Sequence, residues 1–374
     1  MTGVDEILRI ADGRPQDVTR FVHGSTVAIN ALLERKGAKT GILMTRGFED
    51  TLEIGRQKRL RMYDLYVEAE TPVFLAPRRR RFGVTERVGP NGEVITELDL
   101  EDVREAVRIL VDRHDVSAVS VCYLFSFRNP SHEVATRELI AKEFPGIEVS
   151  ISSDVDPHFR EYERLVATTL DAYLRGTVAS YVARLRDALG DRGISAPLQV
   201  MQSRGGITGA ATVARQPLSM LLSGLAAGVV GGRFAAASAG YDDVVTLDIG
   251  GTSCDVALVE DGKAFVSNVA QVEKLLLRQQ MIDVNTIGAG GGSVAWIDDV
   301  GGLRVGPHSM GSDPGPACYG RGGNEATVTD ASVVLGYLNP DNFAGGGLKL
   351  DREAAQSAVD RIAQALGMDR AAAA

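Results

Sequence analysis

The chain has 374 residues, of which 44% are hydrophobic and 24% are charged, as is typical of a soluble globular protein with a buried core. A net charge of −9 argues against nucleic acid or an anionic membrane as the main partner, because both select basic surfaces. Cys122, Cys254 and Cys318 form no C-x-x-C pair, which excludes a disulfide framework or zinc site of that kind and fits a reducing cytoplasm.

The first 240 residues alternate between short strand patterns and helical patterns, which predicts an α/β fold. Residues 116–124 form a nearly continuous apolar run, typical of a strand buried in a parallel sheet. In chain order, the predicted elements are a strand ending at residues 20–22, a helix at 27–35, a strand at 40–44, the strand at 116–124, a helix at 131–143, a strand at 147–151, a helix at 160–189 and a strand at 197–201.

Residues 63–92 interrupt this pattern. The segment contains Pro72, Pro77 and Pro90 and four consecutive arginines at residues 78–81. We predict an extended segment on the surface. The arginines could bind an anion, but the favoured interpretation is a solvated face.

A second unit, residues 241–374, is predicted to follow an apolar helix at residues 220–237. That helix is rich in glycine and alanine and contains Arg233, which favours close packing over a membrane span. The unit's predicted elements are strands at 244–249, 254–260 and 264–268 forming a meander, a glycine-dense loop at 283–323, helices at 329–338 and 351–366, and a frayed end at 369–374.

The strongest local pattern lies at residues 248–255. An apolar strand leads to Asp248, then to Gly250, Gly251, Thr252 and Ser253, and a second strand carries Asp255. Glycines allow backbone N–H groups to approach phosphate oxygens, and hydroxyls add hydrogen bonds. The two carboxylates could hold Mg²⁺ through water. The alternative is a tight β-hairpin with local side-chain hydrogen bonds.

Two further glycine-rich segments follow. Residues 288–293 include Gly290 and Gly291, and such a loop is costly in entropy unless something approaches its backbone. A bound ligand and a close crossing of another backbone segment are equally compatible with it. In residues 313–323, Arg321 could clamp an anion, and Cys318 is expected to be packed rather than nucleophilic. Thr329 or Asp330 is predicted to cap the next helix.

His23 stands between a predicted strand and a predicted helix, followed by Gly24, Ser25 and Thr26. A helix N-terminus after a strand is a natural anion site, and His23 is the acid/base candidate there. Helix capping by the hydroxyls is the alternative. His114, His132, His158 and His308 have no i, i+4 partner, so the sequence offers no case for a histidine metal site.

Together, these motifs resemble the hydantoinase/oxoprolinase A-type family, which includes N-methylhydantoinase, 5-oxoprolinase and subunits of acetone and acetophenone carboxylases. The resemblance spans nearly the whole chain in the family's order. The matching stretches are residues 23–35, 47–50 with 53–57, 160–164, 248–255, 288–293, and 314–323 with 329–331.

The resemblance implies a two-lobed ATPase fold of the actin, Hsp70 and sugar-kinase type that binds ATP and Mg²⁺. It places the second phosphate loop at residues 248–255, with Asp248 and Asp255 as the metal and catalytic carboxylates. Gly250, Gly251, Thr252, Ser253, Gly290, Gly291 and Arg321 are then the candidate nucleotide contacts, and His23 is a further candidate near the site. Where Leu225 and Ala227 stand in the helix between the lobes, the family prefers proline and glycine.

The resemblance also implies a reaction. Such a subunit uses ATP to phosphorylate the carbonyl oxygen of a small cyclic amide, and a B-type partner subunit completes the hydrolysis. A ketone carboxylase subunit is the alternative enzyme. The family's first phosphate loop and its adenosine-contacting segment have no counterpart here, which implies an incomplete fold and a third alternative, an inactive fragment or one half of a split protein. The chain alone is therefore predicted not to turn over ATP, and an unpaired sheet edge would allow homo-oligomers.

Overall fold

A computed structural model of the chain describes residues 1–57, 63, 65, 71–272 and 275–374. The chain divides into two units. Unit 1 comprises Met1–Val230 and Val266–Ile282, and unit 2 comprises Gly231–Phe265 and Asp283–Ala374. Within the described ranges, no helix combines the length and the apolar character needed to cross a membrane.

The described residues include helices of 4 to 30 residues and strands of 2 to 7 residues. The helices are α1 (Thr2–Ile10), α2 (Val27–Leu33), α3 (Thr51–Ile54), α4 (Leu100–His114), α5 (Ser131–Glu143), α6 (Ser152–Val155), α7 (Glu161–Gly190), α8 (Ala210–Arg215), α9 (Ser223–Ser238), α10 (Val328–Val334), α11 (Arg352–Leu366) and α12 (Arg370–Ala373). The strands are β1 (Phe21–His23), β2 (Thr40–Thr45), β3 (Arg81–Val84), β4 (Arg87–Val88), β5 (Val94–Thr96), β6 (Ala118–Cys122), β7 (Glu148–Ile151), β8 (Leu198–Met201), β9 (Ile207–Gly209), β10 (Val244–Ile249), β11 (Cys254–Glu260), β12 (Lys263–Ala264), β13 (Val266–Ser267), β14 (Ala270–Val272), β15 (Leu275–Leu277), β16 (Met281–Ile282), β17 (Asn285–Ile287), β18 (Ser293–Ile297) and β19 (Leu303–Ser309).

Unit 1 contains a parallel sheet in the order β3-β2-β6-β7. All residues of β2 and β6 are buried, as expected when both faces of a parallel sheet are covered. A second sheet has the order β1-β8-β9, with β1 parallel to β8. The 30-residue helix α7 contacts β2, β6 and β7 and also packs on α2 and α8.

The motif at residues 160–164 anchors the start of α7. Glu163 accepts a hydrogen bond from Arg56, which belongs to another of the family-like stretches. Arg164 is fully buried, and its guanidinium donates to the Tyr123 carbonyl oxygen at 2.8 Å and to the Ser126 hydroxyl. These contacts connect the helix to the carboxyl end of β6 and account for two charged residues in an otherwise apolar environment.

The prediction of a solvated surface excursion at residues 63–92 is confirmed for Arg78 and Arg79, which are exposed, and wrong for residues 80–89, which are buried or half-buried. Arg81 begins β3, the edge strand that pairs with β2 in the parallel sheet, and it is 2% exposed. Its guanidinium donates to the Ala76 carbonyl oxygen at 2.7 Å and pairs with Glu53 at 3.2 Å. Arg80 is 8% exposed. Burial lowers the pKa of both guanidinium groups. Residues 64 and 66–70 of this segment lie outside the described residues.

Unit 2 contains an antiparallel sheet in which β10, β12 and β17 all pair with β11. A separate hairpin joins β18 and β19. Helices α10 and α11 pack on each other around a small core of Cys318, Val333, Leu350 and Ala355. Asp351 caps α11 through the Ala354 N–H, and Gly367 ends it in the left-handed conformation.

Several element predictions are confirmed, including β10, β11 and α5 at their predicted bounds. Others are wrong. The segment predicted as one strand at residues 264–268 is split, because β12 pairs with β11 whereas β13 pairs with β16 in unit 1. The predicted loop at residues 283–323 contains β17, β18 and β19. The helix predicted at 220–237 begins at Ser223, after a 3₁₀ turn over Pro217–Met220, and the predicted frayed end contains α12, capped by Asp369.

Candidate functional site

The hairpin between β10 and β11 holds the two candidate metal-binding carboxylates. Asp248 lies directly opposite Asp255 in the antiparallel register, so both side chains project from the same face of the sheet. Cross-strand neighbours of this kind have Cβ atoms about 4.5–5.5 Å apart, and like charges there repel. Asp255 Oδ1 accepts a hydrogen bond from the Thr286 hydroxyl of β17 at 2.5 Å. A divalent cation would relieve the repulsion between the two carboxylates.

The turn between these strands presents backbone donors. The Gly250 N–H donates to the Ser253 carbonyl oxygen at 2.9 Å and closes the turn. In the part of the chain that the structure describes, the next three amides, those of Gly251, Thr252 and Ser253, have no acceptor. Consecutive unbonded N–H groups form the kind of nest that binds anions.

The backbone conformation of the turn does not require glycine at position 250 or 251. Neither Gly250 nor Gly251 has a positive φ. A Cβ at Gly250 would lie 3.7 Å from the nearest atom, the Ser253 carbonyl oxygen, and a Cβ at Gly251 would meet nothing within 4 Å. The tight hairpin alternative would use glycine for a positive φ, and that requirement is not present here.

The glycine-rich segment at residues 288–293 is hydrogen-bonded to the turn between β10 and β11. The Gly291 N–H donates to the Gly250 carbonyl oxygen at 2.8 Å, and the Gly292 N–H donates to that of Gly251 at 2.6 Å. A Cβ at Gly290 would lie 2.5 Å from the Ser253 nitrogen and 2.6 Å from two backbone atoms of Thr252. The close backbone crossing, one of the two interpretations left open by the sequence, is therefore present in the structure.

A buried carboxylate that the sequence interpretation assigned only to helix capping organises the next loop. Asp330 is fully buried. It accepts hydrogen bonds from the backbone N–H groups of Ala317, Cys318 and Thr327 and from the Thr327 hydroxyl at 2.7–3.2 Å. Thr327, and not Thr329, is the N-cap of α10. Thr329 instead donates its hydroxyl and its N–H to the Gly291 carbonyl oxygen, both at 2.8 Å. These bonds connect α10 to residues 290–292, which we call the glycine brace because they are hydrogen-bonded to the turn between β10 and β11.

Arg321 and Cys318 belong to this same loop. Arg321 is exposed, and its guanidinium carbon lies 5.9 Å from the centre of the Tyr319 ring. Its Nη1 donates weakly, at 3.4 Å, to the Ser312 carbonyl oxygen. Cys318 is fully buried, and burial raises the pKa of its thiol. The prediction that Cys318 is a packed residue is confirmed.

His23 lies in unit 1, at the end of β1. Its Nε2 is 2.6 Å from the Tyr181 hydroxyl oxygen, and partial burial lowers the pKa of the imidazole. The following Ser25 accepts the Val27 N–H at 3.2 Å, and its backbone exchanges two hydrogen bonds with the Ser223 hydroxyl. The Ser25 hydroxyl therefore satisfies the first N–H of α2, whereas Thr26, the N-cap residue, makes no side-chain capping hydrogen bond.

The structure brings together Asp248, Asp255, the turn between them, and Gly290 and Gly291. Across the described ranges, no group of three or more His, Cys, Asp or Glu residues could hold a metal ion by themselves. Two carboxylates could hold a cation that keeps part of its hydration shell, as Mg²⁺ does. The turn between them fits a phosphate group.

Comparison with known proteins identifies the family. The sequence model described as hydantoinase/oxoprolinase matches residues 164–374, and that described as the hydantoinase/oxoprolinase N-terminal region matches residues 1–144. The chain belongs to the hydantoinase/oxoprolinase family. The predicted resemblance is therefore confirmed over most of the sequence.

Two members of the hydantoinase/oxoprolinase family show how similar this chain is to its relatives in sequence and in length. The caprolactamase alpha subunit of Pseudomonas jessenii is 37% identical over 356 residues, covering 94% of this chain and 51% of that subunit. The acetophenone carboxylase gamma subunit of Aromatoleum aromaticum is 38% identical over 371 residues, covering 94% and 50%. The chain thus spans about half the length of these relatives.

Solved structures of family members share the fold. The ATP-dependent caprolactamase of Pseudomonas jessenii superimposes with a TM-score of 0.79 at 34% identity, covering 100% of this chain and 54% of that chain. The nucleotide-free structure of acetone carboxylase gives a TM-score of 0.78 at 30% identity, covering 95% and 51%. The predicted α/β fold of the family is confirmed.

The family's expected glycine in α9 is Ala227 here, and the structure shows how the extra methyl group is accommodated. Gly24 lies against it, and a Cβ at Gly24 would be 3.3 Å from the Ala227 Cβ. The pair stays closely packed because the partner on the β1–α2 turn is itself a glycine. Nothing in the structure accounts for Leu225 in place of the expected proline.

Proposed function

We propose that this chain supplies phosphate-binding elements to an ATP-dependent enzyme that phosphorylates the carbonyl oxygen of a small cyclic amide, such as a hydantoin, 5-oxoproline or a related lactam. The observation that carries the proposal is the turn at residues 250–253. It presents three amides that have no acceptor among the described residues, and two glycines that its own conformation does not require. Family members include an ATP-dependent caprolactamase, which supports both the nucleotide and the substrate class.

In the proposed complex, different residues of unit 2 bind the phosphate groups and the metal ion. The amides of Gly251, Thr252 and Ser253 would donate to phosphate oxygens, and the hydroxyls of Thr252 and Ser253 would add donors. Asp248 and Asp255 would hold Mg²⁺ through water, and the bound cation would neutralise charge on the phosphates. Thr286 orients Asp255 through the 2.5 Å hydrogen bond. The glycine brace fixes the turn before ligand arrives, so its donors need little reorganisation.

A carboxylase subunit is the second candidate, because the acetophenone carboxylase gamma subunit is as similar to this chain as the caprolactamase subunit is. Both relatives are named as subunits, which supports assembly with a partner, and we propose a B-type hydantoinase subunit. With that partner present, ATP turnover that depends on a lactam or hydantoin supports the hydrolase. Turnover that depends on bicarbonate and a ketone supports the carboxylase.

The nucleotide proposal is tested by titrating the chain with Mg·ATP and following the backbone amide resonances of Gly251, Thr252 and Ser253. Two charge-assisted hydrogen bonds are worth roughly 3–6 kcal/mol, so affinity near the millimolar range is expected. Asp248→Asn should weaken Mg²⁺-dependent binding by about tenfold, a change of about 1.4 kcal/mol. The melting temperature should stay the same or rise slightly, because a like-charge pair is removed.

Asp242→Asn is the matched control, since Asp242 is exposed at the other end of the same hairpin. It should leave nucleotide binding unchanged. Equal loss of binding in both variants would assign the effect to general electrostatics. A large fall in melting temperature for Asp248→Asn with binding intact would favour the purely structural hairpin.

A further inference from the structure

Arg80 carries a buried positive charge that no described residue compensates. It is the last residue of the 3₁₀ turn Arg78–Arg80, directly before β3, and it is 8% exposed. Its Nε is shielded from solvent and has no hydrogen-bond acceptor. Among the described residues, no carboxylate pairs with its guanidinium. A buried charge is costly unless it is paired or hydrogen-bonded, so the position requires a negative group.

The other two arginines that are buried among the described residues do have acceptors. Arg81 donates to the Ala76 carbonyl oxygen at 2.7 Å and pairs with Glu53 at 3.2 Å. Arg164 donates to the Tyr123 carbonyl oxygen at 2.8 Å. The fold therefore supplies oxygen atoms to these two buried guanidinium groups and leaves that of Arg80 without one.

A second positive charge lies beside Arg80. Burial lowers the pKa of Arg80, and the charge of Arg79 lowers it further. Arg79 is exposed, and it forms no ion pair with any other described residue. Because like charges destabilise each other, an anion with two negative charges would relieve this pair more fully than a monovalent anion.

Tyr173 of α7 places a rigid hydroxyl near the same guanidinium, where it raises the pKa of Arg80 and so opposes the effect of Arg79. The residue is 5% exposed, and its ring meets that of Phe74 edge-to-face with the ring centres 6.3 Å apart. Gly37 lies against the ring, and a Cβ there would come within 2.2 Å of it. In the described part of the chain the hydroxyl forms no hydrogen bond, so it can donate to an oxyanion.

We propose that Arg80 and the Tyr173 hydroxyl bind a small divalent oxyanion, with the charge and size of inorganic phosphate or sulfate, and that Arg79 strengthens the attraction. The planar N–H groups of a guanidinium match a pair of oxyanion oxygens. The bound anion compensates the buried charge and holds the turn at residues 78–80 against α7. The site lies in unit 1 and does not rest on the proposed function, which concerns the turn at residues 250–253 in unit 2.

The binding test is an isothermal titration of the 374-residue chain at constant ionic strength, with phosphate, sulfate, phenyl phosphate and acetate in turn. Phosphate and sulfate should each bind at least about tenfold more tightly than acetate. Phosphate should also bind more tightly than phenyl phosphate, because a site so little exposed has no room for the ring. Arg80→Met should weaken phosphate binding by about tenfold or more, and Arg80→Lys by less, because the charge remains and the planar fork is lost.

Thermal unfolding distinguishes a bound anion from a charge that the protein itself compensates. Phosphate at constant ionic strength should raise the melting temperature of the unaltered chain, because the anion binds only the folded state, and should not raise that of Arg80→Met. Without phosphate, Arg80→Met should melt at the same temperature or higher, because an apolar side chain replaces an unpaired charge. A lower melting temperature of Arg80→Met in phosphate-free buffer would overturn the site.

Arg113→Met is the matched control, because Arg113 is exposed on α4 in the same unit. It should bind phosphate as the unaltered chain does. Unchanged phosphate affinity in Arg80→Met, equal affinity for phosphate and acetate, or no binding of phosphate and sulfate would each overturn the site. Tighter binding of phenyl phosphate would overturn the assignment to a free anion.

Gly251→Ala separates this site from the proposed function. Phosphate binding that is lost in Gly251→Ala and kept in Arg80→Met would place the anion at the turn in unit 2 and overturn the Arg80 site. Phosphate binding that depends on Arg80, in a chain that fails to bind Mg·ATP, would support the site and remove the proposed function.

Discussion

Gly250 and Gly251 lie in the turn between β10 and β11, and Gly290 lies in the segment that is hydrogen-bonded to that turn. The structure gives different reasons for glycine at these positions. Gly290 is required by packing, because a Cβ there would lie 2.5–2.6 Å from the backbone of Thr252 and Ser253. Gly251 is required neither by packing nor by φ. We therefore propose that glycine is required at position 251 by a ligand, because the absence of a side chain allows a phosphate to approach the backbone closely.

This difference predicts opposite outcomes for two alanine variants. Gly290→Ala should lower the free energy of unfolding by about 1–3 kcal/mol, because the backbone beside it cannot yield as a flexible side chain would. Gly251→Ala should leave it unchanged or raise it by up to about 1 kcal/mol, because the unfolded chain loses freedom. Urea unfolding followed by circular dichroism measures both changes.

The same two variants separate stability from binding. Gly251→Ala should weaken Mg·ATP binding although the protein remains fully folded. If Gly251→Ala instead destabilised the chain as much as Gly290→Ala does, the turn would have a structural need for glycine that we have excluded, and the case for phosphate binding would lose its main support.

At the scale of elements, the loop before α10 depends on a single carboxylate. Asp330 accepts three backbone N–H groups and one hydroxyl in a fully buried position. Asp330→Ala should therefore cost about 3 kcal/mol or more, since it leaves several buried donors without an acceptor. Asp330→Asn keeps one acceptor oxygen and should cost less. Chemical unfolding of both variants tests this order.

The control for Asp330 is Asp341, an exposed carboxylate in the same unit, whose ion pair with Lys349 lies on the surface. Asp341→Ala should change the free energy of unfolding by less than about 1 kcal/mol. Equal effects of the two alanine variants would contradict the anchoring role of Asp330.

Helices and strands were predicted correctly where the spacing of apolar residues and the neighbouring turn residues indicated the same element. The strands β10 and β11 and the helix α5 lie at their predicted bounds. Turn residues mark their ends in the sequence, Asn129 and Pro130 before α5 and Asp261 and Gly262 after β11. Arg81 was predicted wrongly because four consecutive arginines resemble a solvated surface. Its burial depends on the Ala76 carbonyl oxygen and on Glu53, contacts that no local pattern contains.

The candidate site was predictable to a similar degree. The glycine-hydroxyl pattern between two acidic residues pointed to the turn at residues 250–253, which we propose as the phosphate site, because all of its parts are adjacent in sequence. Gly290 could not be resolved between ligand and packing, since the deciding neighbour is a backbone segment 37 residues earlier. The anion site that we propose at Arg80 was indicated only in part. The four consecutive arginines left an anion as the less favoured alternative, and no local pattern distinguished the buried Arg80 from its exposed neighbours. Tyr173 belongs to α7, and only the fold brings it near Arg80.

At the scale of the whole molecule, three buried clusters of described residues each belong to a single unit. The core around α7 and the core around β2 and β6 are formed by residues of unit 1, and that around α10 and α11 by residues of unit 2. The proposed phosphate turn lies in unit 2 and the proposed anion site at Arg80 in unit 1. Each feature therefore lies in a unit that has a buried core of its own.

This separation predicts a double dissociation between the two binding activities. Gly251→Ala should weaken Mg·ATP binding and leave inorganic phosphate binding unchanged, whereas Arg80→Met should do the reverse. The physical reason is that residues with no shared partners have independent effects, and among the described residues Gly251 and Arg80 share no hydrogen-bond partner. Each titration is run with the other ligand absent, so that coupling between bound ligands cannot enter. If either variant weakened both activities without a fall in its melting temperature, the two features could not be independent sites, and one shared site would have to replace them.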